Sequence, residues 1–210
     1  MNSKEIIAQR TAQELKDGDF VNLGIGLPTM VANYIPSQIK ITLHSENGFA
    51  GNWIKADEAT QNKDIVDAGG SFVTLQEGGL FFDSLTSFEI IRGGFIDVTV
   101  LGALEVDEMG NLASWAIPNK FLPGMGGSMD LVVGAKKVII AMNHTAKDNP
   151  KILQKCTLPL TGQRVVDMII TELGVFEFIE QTLYLTELAK DVTLEQIKAV
   201  TLANYEVKLH

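Results

Sequence analysis

The chain is short of the residues that build metal cages and disulfide frameworks, with one cysteine, Cys156, and three widely separated histidines, His44, His144 and His210. A lone thiol forms no intrachain disulfide, and a dedicated thiolate or imidazole metal site lacks its ligands. Lys155-Cys156-Thr157 carries nothing that would activate a nucleophile, so Cys156 is expected to be a structural thiol. Cations are in deficit too: 17 Lys and Arg face 26 Asp and Glu, a formal net charge of −9 spread along the chain. That balance argues against nucleic acid and anionic membranes as partners. No apolar run is long enough to span a bilayer, and the first residues enter an amphipathic pattern, not a signal-peptide core, so the expected location is cytoplasmic. Repeats, low-complexity tracts and linkers are also missing.

What is present is 210 residues, 46% of them hydrophobic, which suffices for a substantial core and leads us to expect one domain over residues 1–210. Asn2 with Glu5 makes a capping-box pattern, and Ile6, Ile7, Ala8, Ala12 and Leu15 follow on one helical face that stops at Asp17-Gly18. A strand is predicted at Phe20 to Leu23, and a second over Ile39 to His44. Others are predicted over Phe72 to Leu75, Asp97 to Leu101 and Lys137 to Met142, the last two being apolar enough to be covered on both faces. Asp83 or Ser84 starts a helix that turns Phe88, Ile90 and Ile91 inward and ends at Gly93-Gly94, and Thr193 with Gln196 caps a last one. Glu105-Val106 and Leu112 to Trp115 form a peripheral hairpin. Alternating helix and strand give an α/β fold with a mainly parallel central sheet flanked by helices.

Glu46 is the residue that stands out. It lies in Ser45-Glu46-Asn47-Gly48, directly after the second predicted strand. A strand end holds a side chain rigidly while a glycine-containing loop beyond it leaves room for a ligand. On the residues alone, a solvated turn carboxylate fits as well. Three glycine segments accompany it. Gly24-Ile25-Gly26-Leu27-Pro28 follows a strand and opens a helix but lacks the third glycine of a dinucleotide fingerprint; its N–H groups face an anion or carbonyl, or its glycines serve only a tight turn. Asn22, a strand asparagine just before it, adds an amide that donates and accepts. Arg92-Gly93-Gly94 is a helix end. In Pro123-Gly124-Met125-Gly126-Gly127-Ser128, the main chain can approach a ligand closely ahead of a predicted helix at Ser128 to Val133, either as an oxyanion hole or as a flexible loop.

Taken together and in order, Asn22 to Pro28, Ser45 to Gly48, Ile91 to Gly94, Gly124 to Leu131 and Cys156 to Gly162 resemble the B (β) polypeptide of family I 3-oxoacid CoA-transferases over nearly the whole chain. The resemblance implies an enzyme that moves coenzyme A between short carboxylic acids, with an A subunit of similar fold in a heterotetramer containing two copies of each. It implies that Glu46 is the nucleophile and that Gly127 supplies an oxyanion-hole N–H. It also implies that Asn22, Gly24, Gly26, Asn47, Gly124 and Gly126 contact substrate or coenzyme A. No metal and no cofactor besides the substrate coenzyme A is expected. His44, two positions before Glu46, is expected to be a neighbour without a proton-transfer role.

The chain departs from the family pattern at Phe49 to Glu58, where relatives often continue with a glycine-proline stretch, at Ser128, where many carry alanine, and near Gly70, where some place a CoA-binding lysine. The favoured acids are acetoacetate with acetate or butyrate. The alternatives are 3-oxoadipate, whose second carboxylate needs an added cation, a phosphosugar-binding isomerase or sensor, and a noncatalytic scaffold that pairs with an A-like subunit.

Overall fold

The computed structural model describes residues 2–119 and 124–209. Pro123, at the head of the third glycine segment, and His210 lie outside the described residues. Helix α1 (Ser3–Ala12) begins with both halves of the expected capping box: Glu5 N–H donates to the Asn2 side chain at 3.0 Å and Asn2 N–H to the Glu5 carboxylate at 2.9 Å. Ile7, Ala8 and Ala12 are buried, whereas Ile6 is 36% exposed. Thr11 takes the remaining inward position by donating its hydroxyl to the Ile7 carbonyl.

Among the described residues the framework is a ten-stranded sheet. Its central, parallel part runs in space through Met168–Ile170, Lys137–Ala141, Val98–Leu101, β1 (Phe20–Leu23) and β2 (Thr42–Ser45). Further strands extend it at both sides: antiparallel Gly174–Ile179 and Thr182–Leu188, then Glu206–Val207 parallel to the latter, beyond Met168–Ile170, and antiparallel β3 (Phe49–Gly51) followed by Leu80–Phe81 beyond β2. Along Lys137–Ala141, Val138 and Ile140 enter one apolar cluster while Ile139 and Ala141 enter the other. That alternation explains the uninterrupted apolar run, since both faces of a central strand are covered. Fully burying each such isoleucine contributes roughly 1.5–3 kcal/mol.

Helix α2 (Ser84–Arg92) is capped by Asp83, whose carboxylate accepts the Thr86 N–H at 2.8 Å, and it ends at Gly93. It packs against α3 (Ser128–Gly134). A Cβ at Gly134 would overlap the Ile91 carbonyl, and Arg92 pairs with Asp130 at 2.7 Å. Helix α4 (Leu194–Val200) carries the predicted capping box of Thr193 and Gln196. The peripheral hairpin is present as Glu105–Asp107 against Leu112–Ala113, although Ser114 and Trp115 leave the ladder to bond Thr161 and the Leu160 carbonyl.

Three expectations differ. The second strand starts at Thr42, not Ile39, because Lys40 is committed to the turn after α1: its N–H donates to Asp17 and its carbonyl accepts from Gly18. Val73–Leu75 lies outside the large sheet, in a two-stranded ribbon with Trp53–Lys55. Where the sequence suggested a mainly parallel sheet, the antiparallel pair Gly174–Ile179 and Thr182–Leu188 was not foreseen, and its own reversal contains no glycine. Glu180 and Gln181 make the reversal with φ of 48° and 67°, a conformation that Asn-Gly ordinarily supplies.

The site's position follows from the order of connection. From β1 the chain moves to β2 on one side, then crosses to Val98–Leu101 on the other, and all three run parallel. A crevice opens outside the carboxyl ends of strands at such a switch point, here beyond Leu23, Ser45 and Leu101.

Candidate active site

Strand β3 returns antiparallel to β2 with Phe49 opposite Ser45, so Glu46, Asn47 and Gly48 form the tip of a tight hairpin. Gly48 has φ 123°, and a Cβ there would overlap the Phe82 carbonyl oxygen; the Phe82 N–H in turn donates to the Gly48 carbonyl at 2.9 Å. Only glycine allows this close approach. Ser45 Oγ donates to Asn47 Oδ1 at 2.6 Å and accepts from the Ala68 N–H at 3.2 Å, while Asn47 Nδ2 donates to the Val66 carbonyl at 2.7 Å. The tip is thereby tied to residues 66–68.

Glu46 itself is half-buried and held at both ends. Its backbone carbonyl accepts the Ser87 hydroxyl at 2.7 Å, and its carboxylate Oε1 accepts the Gly127 N–H at 3.0 Å. The carboxylate rests on bare backbone: a Cβ at Gly126 would stand 2.9 Å from Oε1 and one at Gly127 2.6 Å from Oε2. The glycine pair is needed for that contact and not for flexibility.

Beneath this contact runs a buried polar chain. Asn22 and His44 sit side by side in the β1–β2 register. Asn22 Nδ2 donates to the His44 carbonyl at 3.1 Å and lies 3.3 Å from His44 Nδ1; His44 Nε2 lies 3.1 Å from Ser87 Oγ. Asn22 is 3%, His44 1% and Ser87 0% exposed. Phe20 meets the imidazole edge-on and Phe82 stacks on it. Burial holds the His44 pKa down at about 4, so the ring is neutral near pH 7.

The carboxylate opens into a cleft of about 660 Å³, within the range of small-molecule sites. Leu23, Gly24 and Ile25 from the end of β1, Gly102 and Ala103 beyond Val98–Leu101, and Gly124, Met125 and Gly126 form three of its sides. Trp53, Asp67, Ala68 and Gly69, from the excursion between β3 and Leu80–Phe81, form another, and Ser114 and Trp115 also line it. Among the described residues the lining includes no lysine or arginine.

Of the residues singled out in the sequence, Asn22, Gly24, Glu46, Gly124 and Gly126 line this cleft, and Gly127 touches the carboxylate. Gly26 and Asn47 are not on its wall; Gly26 caps the 3₁₀ turn Leu27–Tyr34, and Thr29 donates to its carbonyl. Trp53 belongs to the departing stretch Phe49 to Glu58, whereas Ser87, Asp67 and Trp115 were not foreseen. Ser87 did carry a signal, since it lies four residues before Ile91 on the inward stripe of α2, where a lone hydroxyl needs a buried partner. Cys156 lies away from the cleft: its N–H donates to Asp107 and its thiol to the Asn111 carbonyl, and burial, with Asp107 and Glu105, pushes its pKa up to about 12.

A carboxylate at a parallel strand end, seated on a glycine pair and facing a cleft at the switch point, is the arrangement of an enzyme that uses an acid as a nucleophile or base. Residues 4–200 match the family model described as Coenzyme A transferase, and the chain belongs to that family. It is 56% identical over 208 residues to the beta subunit of the acetate CoA-transferase of Escherichia coli strain K12, covering 99% of this chain and 95% of that one. To the B polypeptide of the succinyl-CoA:3-ketoacid coenzyme A transferase of Helicobacter pylori strain 26695 it is 48% identical over 207 residues, with 98% and 100% covered. The apoenzyme of an acyl-CoA transferase from Escherichia coli O157:H7 shares its fold, with a TM-score of 0.77 at 23% identity; this chain, matched over its whole length, spans 43% of that longer chain.

Proposed function

We propose that the chain is the nucleophile-bearing component of a CoA-transferase that exchanges coenzyme A between acetoacetate and acetate or butyrate, and that Glu46 forms a glutamyl-CoA thioester during turnover. The observation that carries this reading is the Gly127 N–H on Oε1 of Glu46, at 3.0 Å in a cleft open to a small ligand. A carboxylate is a weak nucleophile, so it must be aimed and its developing oxyanions stabilised.

Glu46 attacks the thioester carbonyl of an acyl-CoA, and collapse of the adduct expels CoA thiolate and leaves an acyl-glutamyl anhydride. The thiolate then attacks the glutamyl carbonyl. The carboxylate of the original acid departs, CoA is left bonded to Glu46 as a thioester, and the incoming acid reverses both steps. No proton need change hands. In the glutamyl-centred adducts the oxyanion develops on the very oxygen that Gly127 contacts, so this N–H serves attack on Glu46. The adduct centred on the substrate carbonyl takes its donors elsewhere, one of them from the partner A subunit. Binding of the remote part of coenzyme A contributes to the rate at the thioester.

The two relatives are named as the beta and B components of their enzymes, which supports an A-subunit partner. We propose that it is present in two copies with two of this chain, in the cytoplasm. Residues 1–210 act as one domain. An apolar cleft wall with Asp67 and no cation among its described residues favours acetate, butyrate and acetoacetate over 3-oxoadipate. No cofactor besides the substrate is invoked.

The test uses the complex of this chain with its A subunit. Acetoacetyl-CoA is added without acceptor acid, borohydride reduces any thioester to an alcohol, and peptide mass spectrometry finds the modified residue. Reduction at Glu46 is expected, and Glu46→Gln is expected to abolish both label and turnover. A label on another residue, or full turnover by Glu46→Gln with no return to glutamate, overturns the reading.

A further inference from the structure

Each hydrogen-bond role in the chain beneath Glu46 is forced. Ser87 has a single hydroxyl proton, and it goes to the Glu46 carbonyl, which can only accept. Ser87 Oγ must therefore accept from His44, which puts a proton on Nε2. At the other end, the Asn22 atom 3.1 Å from the His44 carbonyl has to be the amide nitrogen, because two carbonyl oxygens would repel. That same NH2 group faces His44 Nδ1 at 3.3 Å, so Nδ1 is the lone-pair side. The imidazole is a neutral Nε2–H tautomer, and a second proton on Nδ1 would confront the Asn22 donor. Desolvation acts in the same direction, with the ring 1% exposed between Phe20 and Phe82.

We propose that Asn22, His44 and Ser87 form a positioning relay that fixes the main chain of Glu46, with His44 acting as a rigid, uncharged link and never as an acid or base. The relay rests on the reading of Glu46 as nucleophile. Glu46 sits at a hairpin tip whose ties to residues 66–68 and Phe82 run through its neighbours Ser45, Asn47 and Gly48, not through Glu46 itself. Ser87 on α2 grips its carbonyl, and Gly127 at the head of α3 grips its carboxylate. The two helices are locked together by the Gly134–Ile91 approach and the Arg92–Asp130 pair, so both grips belong to one rigid unit. Asn22 and His44 connect that unit to adjacent central strands. A rotated imidazole would no longer hold Ser87, and a charged one would set a proton on Nδ1 against the Asn22 amide; either displaces a link of the chain that ends at the Glu46 carbonyl. Displacement of a reacting group by about 1 Å costs on the order of 10²-fold in rate.

The experiment has three arms on the complex with the A subunit. With 15N-histidine in this chain alone, and the His44 signals assigned through His44→Gln, the ring at pH 7 is expected to be neutral with its proton on Nε2. A proton on Nδ1, or on both nitrogens, overturns the relay, and this arm needs no variant to be active. In the second arm, Ser87→Ala is expected to lower kcat by about 10- to 100-fold with KM for acyl-CoA unchanged; a kcat within twofold of wild type overturns it. The third compares His44→Gln, whose amide can stand where Nε2–H stood, with His44→Asn, which cannot reach Ser87. Gln is expected to retain several-fold more kcat than Asn, and equal losses overturn the relay in favour of simple packing. Glu46→Gln separates the two readings: full turnover there removes the nucleophile assignment, whereas a dead Glu46→Gln beside a fully active Ser87→Ala removes only the relay.

Discussion

Gly127→Ala isolates the contact on which the proposed chemistry depends. Its backbone, at φ −82° and ψ 6°, is open to alanine, so the fold should tolerate the change. Alanine is a poorer N-cap than glycine, which costs about 1 kcal/mol or less. The new methyl would lie 2.6 Å from Glu46 Oε2 and 3.0 Å from its carboxyl carbon. Ordinary contact begins at 3.4 Å, so the carboxylate must retreat by roughly 0.8 Å, stretching or breaking the 3.0 Å bond from the Gly127 N–H. Losing one oxyanion donor costs on the order of 10²–10³ in kcat, and misplacement by about 1 Å a comparable factor. The two losses overlap, because both remove the same alignment, so the expected fall in kcat is about 10²- to 10³-fold, or roughly 3–4 kcal/mol in the barrier. The assay follows consumption of acetoacetyl-CoA in the presence of acetate by the assembled complex, alongside a circular-dichroism melt. A complex that melts like wild type and keeps more than a tenth of its kcat would refute the claim that Glu46 works from this glycine seat.

Further expectations concern stability and reactivity. Ile140→Ala, a fully buried position in a central strand, should cost about 2–5 kcal/mol in urea unfolding; a loss below 1 kcal/mol would mean that the two-sided core has been misread. His144 is also fully buried, between Thr171 and Thr201, and burial, with nearby Lys151, lowers its pKa from 6.5 to about 4. The unfolded chain thus takes up a proton that the native chain refuses. Stability from this source is complete above about pH 6.5 and is lost as pH falls toward 4, at up to about 1.4 kcal/mol per pH unit. His144→Asn should lessen the measured slope between pH 6.5 and 4.5, leaving the share that buried His44 contributes in the same window, and an unchanged slope would rule His144 out as a source. Cys156, with its pKa raised to about 12, should react with iodoacetamide at pH 8 at least 100-fold more slowly in the native chain than in urea; labelling at similar rates in both would contradict its burial.

Elements governed by local chemistry were legible in the sequence. The Asn2–Glu5 and Thr193–Gln196 boxes, the Asp83 cap and the run at Phe20–Leu23 report on residues within a turn of themselves and stand where they were expected, and the run expected over Lys137 to Met142 forms a strand one residue shorter, Lys137–Ala141. What escaped was set at long range or by backbone strain. The Glu180-Gln181 reversal reaches positive φ without glycine, so no turn signal preceded the strand pair it joins. Ile39 and Lys40 look like strand, yet Asp17 and Gly18, more than twenty residues earlier, claim the hydrogen bonds of Lys40. At the cleft the motifs found Glu46 and the glycines beside it, because tight backbone leaves a mark in composition. Ser87, 41 residues from Glu46, and the flat, buried environment of His44 come together only through the parallel pairing of β1 with β2 and the docking of α2 beneath the hairpin.

The stretch between β3 and Leu80–Phe81 contributes Trp53, Asp67, Ala68 and Gly69 to the wall of the cleft while standing outside the main sheet in its own small ribbon. It is a sleeve around a fixed tool, fastened to the tip of the Glu46 hairpin at residues 66–68 and, just beyond its end, at Phe82. Substitutions there can reshape the wall of the cleft while leaving the strands, the helix pair and the seat of Glu46 unaltered.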